Sequence, residues 1–229
     1  MSAADANTRV TAGGALQRFA RRAADAAAAS FERCDLCNEP VRPDHRHLLE
    51  RATREISCVC QACGLLFSQP AASQGRYRLI PDRRLRLVNF DLTDAEWDRL
   101  RVPVGLCFVV VGDDGQPHAF YPSPMGPTEA TVDPATWATL VNRQPKLNEL
   151  EADVEALLVN RARGARDHFI VPIDTCFSLV GLIRMRWRGL SGGSDVWTAI
   201  GQFFDALRAR SRNYPRSEVM QEPCPSATT

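Results

Sequence analysis

Residues 34–63 read CDLCNEPVRPDHRHLLERATREISCVCQAC. Five of the chain's eight cysteines lie here (Cys34, Cys37, Cys58, Cys60 and Cys63), as do His45 and His47, two of its four histidines. The outer cysteines form two C-x-x-C pairs, and 22 residues (38–59) separate Cys37 from Cys60. A C-x-x-C turn brings two thiolates close enough to share one ion, and two such turns complete a tetrahedral all-sulfur site. The spacing predicts a metal site at Cys34, Cys37, Cys60 and Cys63. Zinc is the expected metal, with iron or an iron–sulfur centre as the alternative. Four unligated cysteines are the weaker reading, because two correctly spaced pairs are far more specific than one.

Cys58 is surplus to that set. It could replace Cys60 as a ligand, stand as a fifth thiolate near the metal, or be a free thiol. His45 and His47 are two apart, so a strand would point both to one side, within reach of a metal. Three sulfurs with one nitrogen, or a cluster with two of each, would then also be open. Four cysteines close a structural site without either histidine, which leaves the histidines as supporting or surface groups.

A chain of 229 residues can bury a sizeable core, as one large domain or as a small domain joined to a larger one. Its apolar fraction of 45% and charged fraction of 24% are those of an ordinary soluble globular protein. A net charge of +1 gives no bulk attraction to nucleic acid or to a membrane surface. The start MSAADANTRV lacks a basic segment followed by an apolar run, so no signal peptide is expected. No apolar stretch is long enough to predict a membrane span. These features predict a cytoplasmic protein, and in a reducing compartment clustered cysteines are metal ligands, not disulfides.

The expected architecture is α+β: a small zinc-ribbon or treble-clef-like module joined to a mixed α/β domain. Residues 1–12 are expected to be disordered. Residues 13–69 are expected to hold an N-terminal helix over 14–31 and the cysteine module, with short strands at 55–59 and 65–67. Gly64 is expected in a turn of positive φ. Residues 70–210 are assigned to the α/β domain and 211–229 to a flexible tail.

Within that domain Thr93 to Glu96 form a capping box before a short helix. Residues 102–111, VPVGLCFVVV, read as a buried strand with Cys107 in the core, and 118–121 return as its hairpin partner. Residues 121–129 carry three prolines and a glycine and read as a rigid loop. Asp133-Pro134 starts a helix. Leu150, Val154, Leu157 and Leu158 suggest a further helix over 147–160. Residues 168–173 read as a buried strand, 176–184 and 194–210 as helices. Trp97, Trp137, Trp187 and Trp197 are expected in the core or at an interface.

Arg76, Arg78, Arg83, Arg84 and Arg86 alternate with Tyr77, Leu79, Leu85 and Leu87 and make the most basic segment. An acidic partner surface is the sharp reading of it and internal salt bridging the bland one. Support for catalysis is thin. Cys176 could act as a nucleophile at a helix start, paired with His168, and His118 or His168 could serve as a general base, but a structural role is commoner for each histidine. Ser191 to Ser194, beside Arg184, Arg186 and Arg188, could present N–H groups to an anion, yet matches no nucleotide fingerprint.

The residues Cys34 to Cys37, His45 to Leu49, Cys58 to Cys63, Gly75 to Pro81, Ala119 to Met125, Val154 to Asn160 and Trp187 to Gly193 together carry a resemblance. The chain resembles an uncharacterised family of actinobacterial and related bacterial proteins encoded beside nickel–iron hydrogenase genes. That resemblance implies an accessory role in hydrogenase assembly, maturation or electron transfer. The combined expectation is a non-catalytic, cytoplasmic metal-binding protein whose partner is a hydrogenase subunit or maturation factor. The alternative is an electron-transfer protein with iron at the same four cysteines.

Overall fold

A computed structural model describes residues 32–189 and 192–214. The expected helix over 14–31, the disorder over 1–12, Ser191, and the tail beyond residue 214 with Cys224 lie outside the described residues.

The chain opens with the cysteine turn and then runs through β1 (Arg46–Glu50), β2 (Ile56–Val59), α1 (Gln61–Phe67), α2 (Pro70–Ser73) and β3 (Tyr77–Leu79). There follow β4 (Leu85–Leu87), α3 (Asp94–Arg99), β5 (Leu106–Val111), β6 (Pro117–Ser123), β7 (Gly126–Ala130) and α4 (Pro134–Arg143). The last elements are β8 (Glu155–Asn160), β9 (Asp167–Pro172), α5 (Ile173–Arg186), α6 (Gly193–Arg210) and β10 (Arg212–Tyr214).

Two sheets organise these elements. A three-stranded antiparallel sheet has the order β2-β1-β3, and a seven-stranded sheet has the order β10-β4-β9-β8-β5-β6-β7. In the large sheet only the β10–β4 pairing is parallel. Side chains alternate across a strand, and the large sheet accordingly has an apolar core on each face. Leu106, Phe108, Val110, Ala156, Leu158, Phe169 and Val171 face α5 and α6. Cys107, Val109, Leu157, Val159 and Ile170 face Trp137 and Leu140 of α4 and the segment from Phe90 to Val102. Leu49 and Ile80 join the first of these cores, so the small sheet packs on the same side as α5 and α6.

Many expectations hold. Thr93 and Glu96 form the capping box, with Thr93 N donating to Glu96 Oε2 at 2.9 Å. Asp133 caps α4. The hairpin β5–β6, the strand β9 and the helices α5 and α6 lie where they were placed. Cys107 is wholly buried, Trp137 is in the core, and Trp97, Trp187 and Trp197 pack against its edges.

Others are corrected. Residues 155–160 are not a helix but β8, a central strand buried at every position. Burial on both faces removes the alternation that marks a strand, and the leucines then fall by chance at helical spacing. Residues 121–129 are not a loop: β6 and β7 pair through them, with Pro122 opposite Pro127 on an edge hairpin. Residues 65–67 belong to α1, and Gly64 is helical without positive φ. The small sheet takes β3 as its third strand, so the cysteine module extends past residue 70 to Leu79. Arg212 to Tyr214, assigned to the tail, add β10 to the large sheet.

The arginine segment is ion-paired within the chain. Arg76 binds Glu50, Arg83 binds Glu155 and Glu149, Arg84 binds Asp82, and Arg86 lies 3.5 Å from Asp167. Arg78 reaches Asp113 at 2.9 Å and Asp153 at 3.8 Å, while Arg51 pairs with Asp113 and Arg54 with Asp153. Three arginines of the module thus grip two carboxylates at the ends of β5 and β8. These pairs, with Leu49 and Ile80 inserted in the core beneath, seat the module on the large sheet.

Candidate metal centre

The four predicted cysteines come together. One sulfur from each of Cys34, Cys37, Cys60 and Cys63 lies within 4.8 Å of every other. Cys37 Sγ and Cys60 Sγ are 3.6 Å apart. A tetrahedral ion with metal–sulfur bonds of about 2.3 Å holds its sulfurs roughly 3.8 Å apart, whereas a disulfide needs about 2.05 Å. All seven described cysteines are free thiols. The donor set and its spacing therefore fit a single four-sulfur metal ion.

Local structure explains the convergence. In the first pair the chain reverses at Asn38, whose φ is 63°, and Asn38 N donates to Cys34 O at 2.8 Å. Asparagine tolerates this left-handed conformation better than most residues. Asp35 fastens the turn to the hairpin: its N donates to Cys58 O at 2.9 Å, and its carboxylate accepts from Cys58 N at 2.6 Å. In the second pair Cys60 is the N-cap of α1, and its sulfur accepts from Cys63 N at 3.5 Å. Cys34, Val41, Leu48 and Val59 form a small core beneath the sulfurs.

The thiols also show why a cation belongs there. Burial raises the Cys34 thiol, but backbone N–H groups of Cys60, Cys37 and Leu36 outweigh it and bring the pKa down to about 6. The Glu39 N–H favours a Cys37 thiolate, yet the neighbouring thiols Cys34 and Cys60 leave it raised. Burial and hydrogen bonding among the same sulfurs push Cys63 well up. The Cys34 thiolate is favoured, while Cys37 and Cys63 are held protonated. Four thiolates at this spacing need a bound cation to balance them.

Cys58, His45 and His47 are not part of this set. They form a second group, in which one ligand atom from each lies within 4.8 Å of the others. His47 stands opposite Cys58 in the β1–β2 register, so the two side chains share a face of the small sheet. That face also carries Leu49, which enters the core under the module, while Leu48 and Val59 point the other way toward the four sulfurs. The sheet thus separates Cys58 from the Cys60 site. Alternation along 58–60 hinted at this; the depth of His45 did not show in the sequence.

The residues considered for catalysis are not assembled. Cys176 is fully buried in the core facing α6, and burial raises its thiol well above the usual range. His168 lies beside Phe90 on the opposite face of the large sheet, at a ring separation of 4.9 Å. His118, on the β5–β6 hairpin, lies 3.3 Å from Glu129 and 3.8 Å from Asp114. The glycine segment before α6 has Gly192 at its N-cap with φ 85° and no side-chain cap.

Among the described residues no helix is long and apolar enough to cross a membrane. A sequence profile described as a family of unknown function (DUF5947) matches residues 33–211, and the chain belongs to that family. No curated protein and no solved structure matches it.

Proposed function

We propose that this member of the DUF5947 family is a zinc-binding accessory protein, acting through protein contacts and not through catalysis. The observation that carries the reading is the convergence of Cys34, Cys37, Cys60 and Cys63 on one position. A site closed by four protein ligands is the structural arrangement for zinc, and the ion then supplies folding energy to a module with little carbon of its own. The order of turn, hairpin and helix start, with two ligands on the turn and two on the helix, supports a treble-clef-like description over a ribbon.

The module would serve as a docking element in a reducing cytoplasm, where its thiols remain available to metal. The resemblance to proteins encoded beside nickel–iron hydrogenase genes directs the search for its partner to a hydrogenase subunit or maturation factor.

Elemental analysis of protein purified without added metal tests the metal, and co-purification with the proposed partners tests the role. The expected results are zinc at the four cysteines without visible absorption, and partner capture that Cys63→Ser abolishes. Bound iron with visible bands that change on reduction would replace this reading with electron transfer at the same cysteines. Capture unaffected by Cys63→Ser would remove the module from the docking role.

A further inference from the structure

We propose that His45, His47 and Cys58 form a second metal site, separate from the four-cysteine site, which binds a zinc-class divalent transition ion and leaves one coordination position for a small exogenous ligand.

The donor set is built, not incidental. His47 Nδ1 lies 2.8 Å from Asp174 Oδ2, a residue 127 positions away in the first turn of α5. Metal-bound histidines commonly donate their second ring nitrogen to a carboxylate in this way, which fixes the tautomer and aims the free nitrogen. His45 Nδ1 is held in the same manner, 2.8 Å from Arg42 O and 3.6 Å from Glu32 Oε2. Both rings therefore keep Nε2 as the atom left to bind. The His45 side chain is only 7% exposed, and its Nε2 is buried with no hydrogen-bond partner. An unpartnered buried nitrogen costs free energy unless something fills its lone pair, and an ion does so. Cys58 supplies a sulfur from the facing strand.

Two imidazoles and one thiolate suit zinc, cobalt or nickel, whereas magnesium and calcium prefer oxygen. Three protein ligands leave a tetrahedral ion one position short, the arrangement that keeps water or substrate in the fourth place. His45 and His47 line a cleft of about 370 Å³ together with Arg84, Asp174 and Thr175. A small ligand can enter from there, and water or a small exogenous ligand fits the polar, hydrogen-bonding surroundings. The two centres would then divide the labour of the module. The four-sulfur ion closes the fold on one face of the small sheet, and the second ion faces the cleft between module and body.

The test is total metal bound by the full-length protein after incubation with Co(II) under reducing conditions and removal of free ion. Wild type is expected to hold about two ions per chain, and His45→Gln and Cys58→Ser about one, retained at the four cysteines. Asp174→Asn should keep the second site but weaken it by about 10–100-fold, as loss of an orienting carboxylate does. Azide added to the cobalt-loaded wild type should change its visible spectrum, and Cys58→Ser should lack that response. One ion in wild type, or two in both His45→Gln and Cys58→Ser, overturns the second site. A second ion with an azide-insensitive spectrum overturns the open position. Loss of the four-cysteine ion instead would show in Cys63→Ser, so failure of the two readings is distinguishable.

Discussion

Arg83 Nε donates to Glu155 Oε1 at 2.7 Å, and the Glu155 carboxylate is completely buried in the central strand β8. Hydrogen bonding to Glu155 raises the Arg83 pKa, against the opposing effect of burial. A partly buried arginine thus supplies the opposite charge to a fully buried carboxylate. Removing one member of such a pair leaves an uncompensated charge, at a cost of about 3–5 kcal/mol. Arg83→Met should therefore lose roughly that much stability. Arg76, paired with Glu50 but 62% exposed, should lose little stability on substitution by Met. Urea unfolding at fixed metal loading separates the two; equal losses would contradict the structural role of Arg83.

The same reasoning divides Arg84, just before β4, from Arg86 within it. Arg84 pairs with exposed Asp82, whereas Arg86 faces Asp167, whose carboxylate is only 6% exposed. Asp167 also accepts from Arg208 at 2.7 Å and from Asn160 at 3.3 Å. Burial raises its pKa, but Arg208 and Arg86 hold it below the usual carboxylate range. Arg84→Met removes a partner only from a solvated carboxylate and should cost little. Arg86→Glu places a second carboxylate beside a buried one and should cost clearly more. Thermal melts of the two variants check the order.

His168 gives a pH signature. Burial, with Arg161 adding to it, lowers its pKa to about 4 from an ordinary value near 6.5. Between these values the unfolded chain binds the proton and the folded chain does not. Stability from this residue is therefore full above about pH 6.5, declines as pH falls toward 4, and is flat below. The difference amounts to about 3 kcal/mol, at 1.36 kcal/mol per unit. His168→Phe, which keeps the ring against Phe90, should remove this slope. The stability of wild type relative to the variant, measured from pH 7.5 to 4, reads it directly, because contributions common to both cancel. A constant difference would contradict the account.

Thiol labelling distinguishes the two kinds of cysteine. Burial raises Cys107 to about 12 and lifts Cys176 well above the usual thiol range, so both should resist alkylation until the body unfolds. The four clustered cysteines should resist only while metal is bound. Chelator should expose them to iodoacetamide with Cys107 and Cys176 still protected, as peptide mapping would show. Labelling of the cluster at equal rates with and without chelator would argue against a bound ion.

The doubled C-x-x-C pattern was legible because metal chelation is local, and each pair needs only its own turn. The helix α6 was legible because it has a single buried face. β5, though buried on both faces, was legible because its valine-rich run ends in turn residues at Gly112 to Gly115. β8, equally buried, was not, because its leucines fall at helical spacing with no polar phase to offset them. The role of the arginine segment was hidden for another reason. Its alternation is real, but Asp113, Asp153, Glu155 and Asp167 arrive from strands and strand ends far along the chain. Cys58 and His47 followed the same rule: pairing across β1 and β2 put them on one face, and Asp174 came from α5 to complete their surroundings.

The central claim is a closed four-sulfur metal site at Cys34, Cys37, Cys60 and Cys63. X-ray absorption at the metal edge of the Cys58→Ser variant tests it most directly, because that variant keeps only this site. The account predicts one zinc per chain with a shell of sulfur alone at about 2.3 Å. A shell dominated by nitrogen or oxygen, or a folded protein that holds no metal, would contradict it.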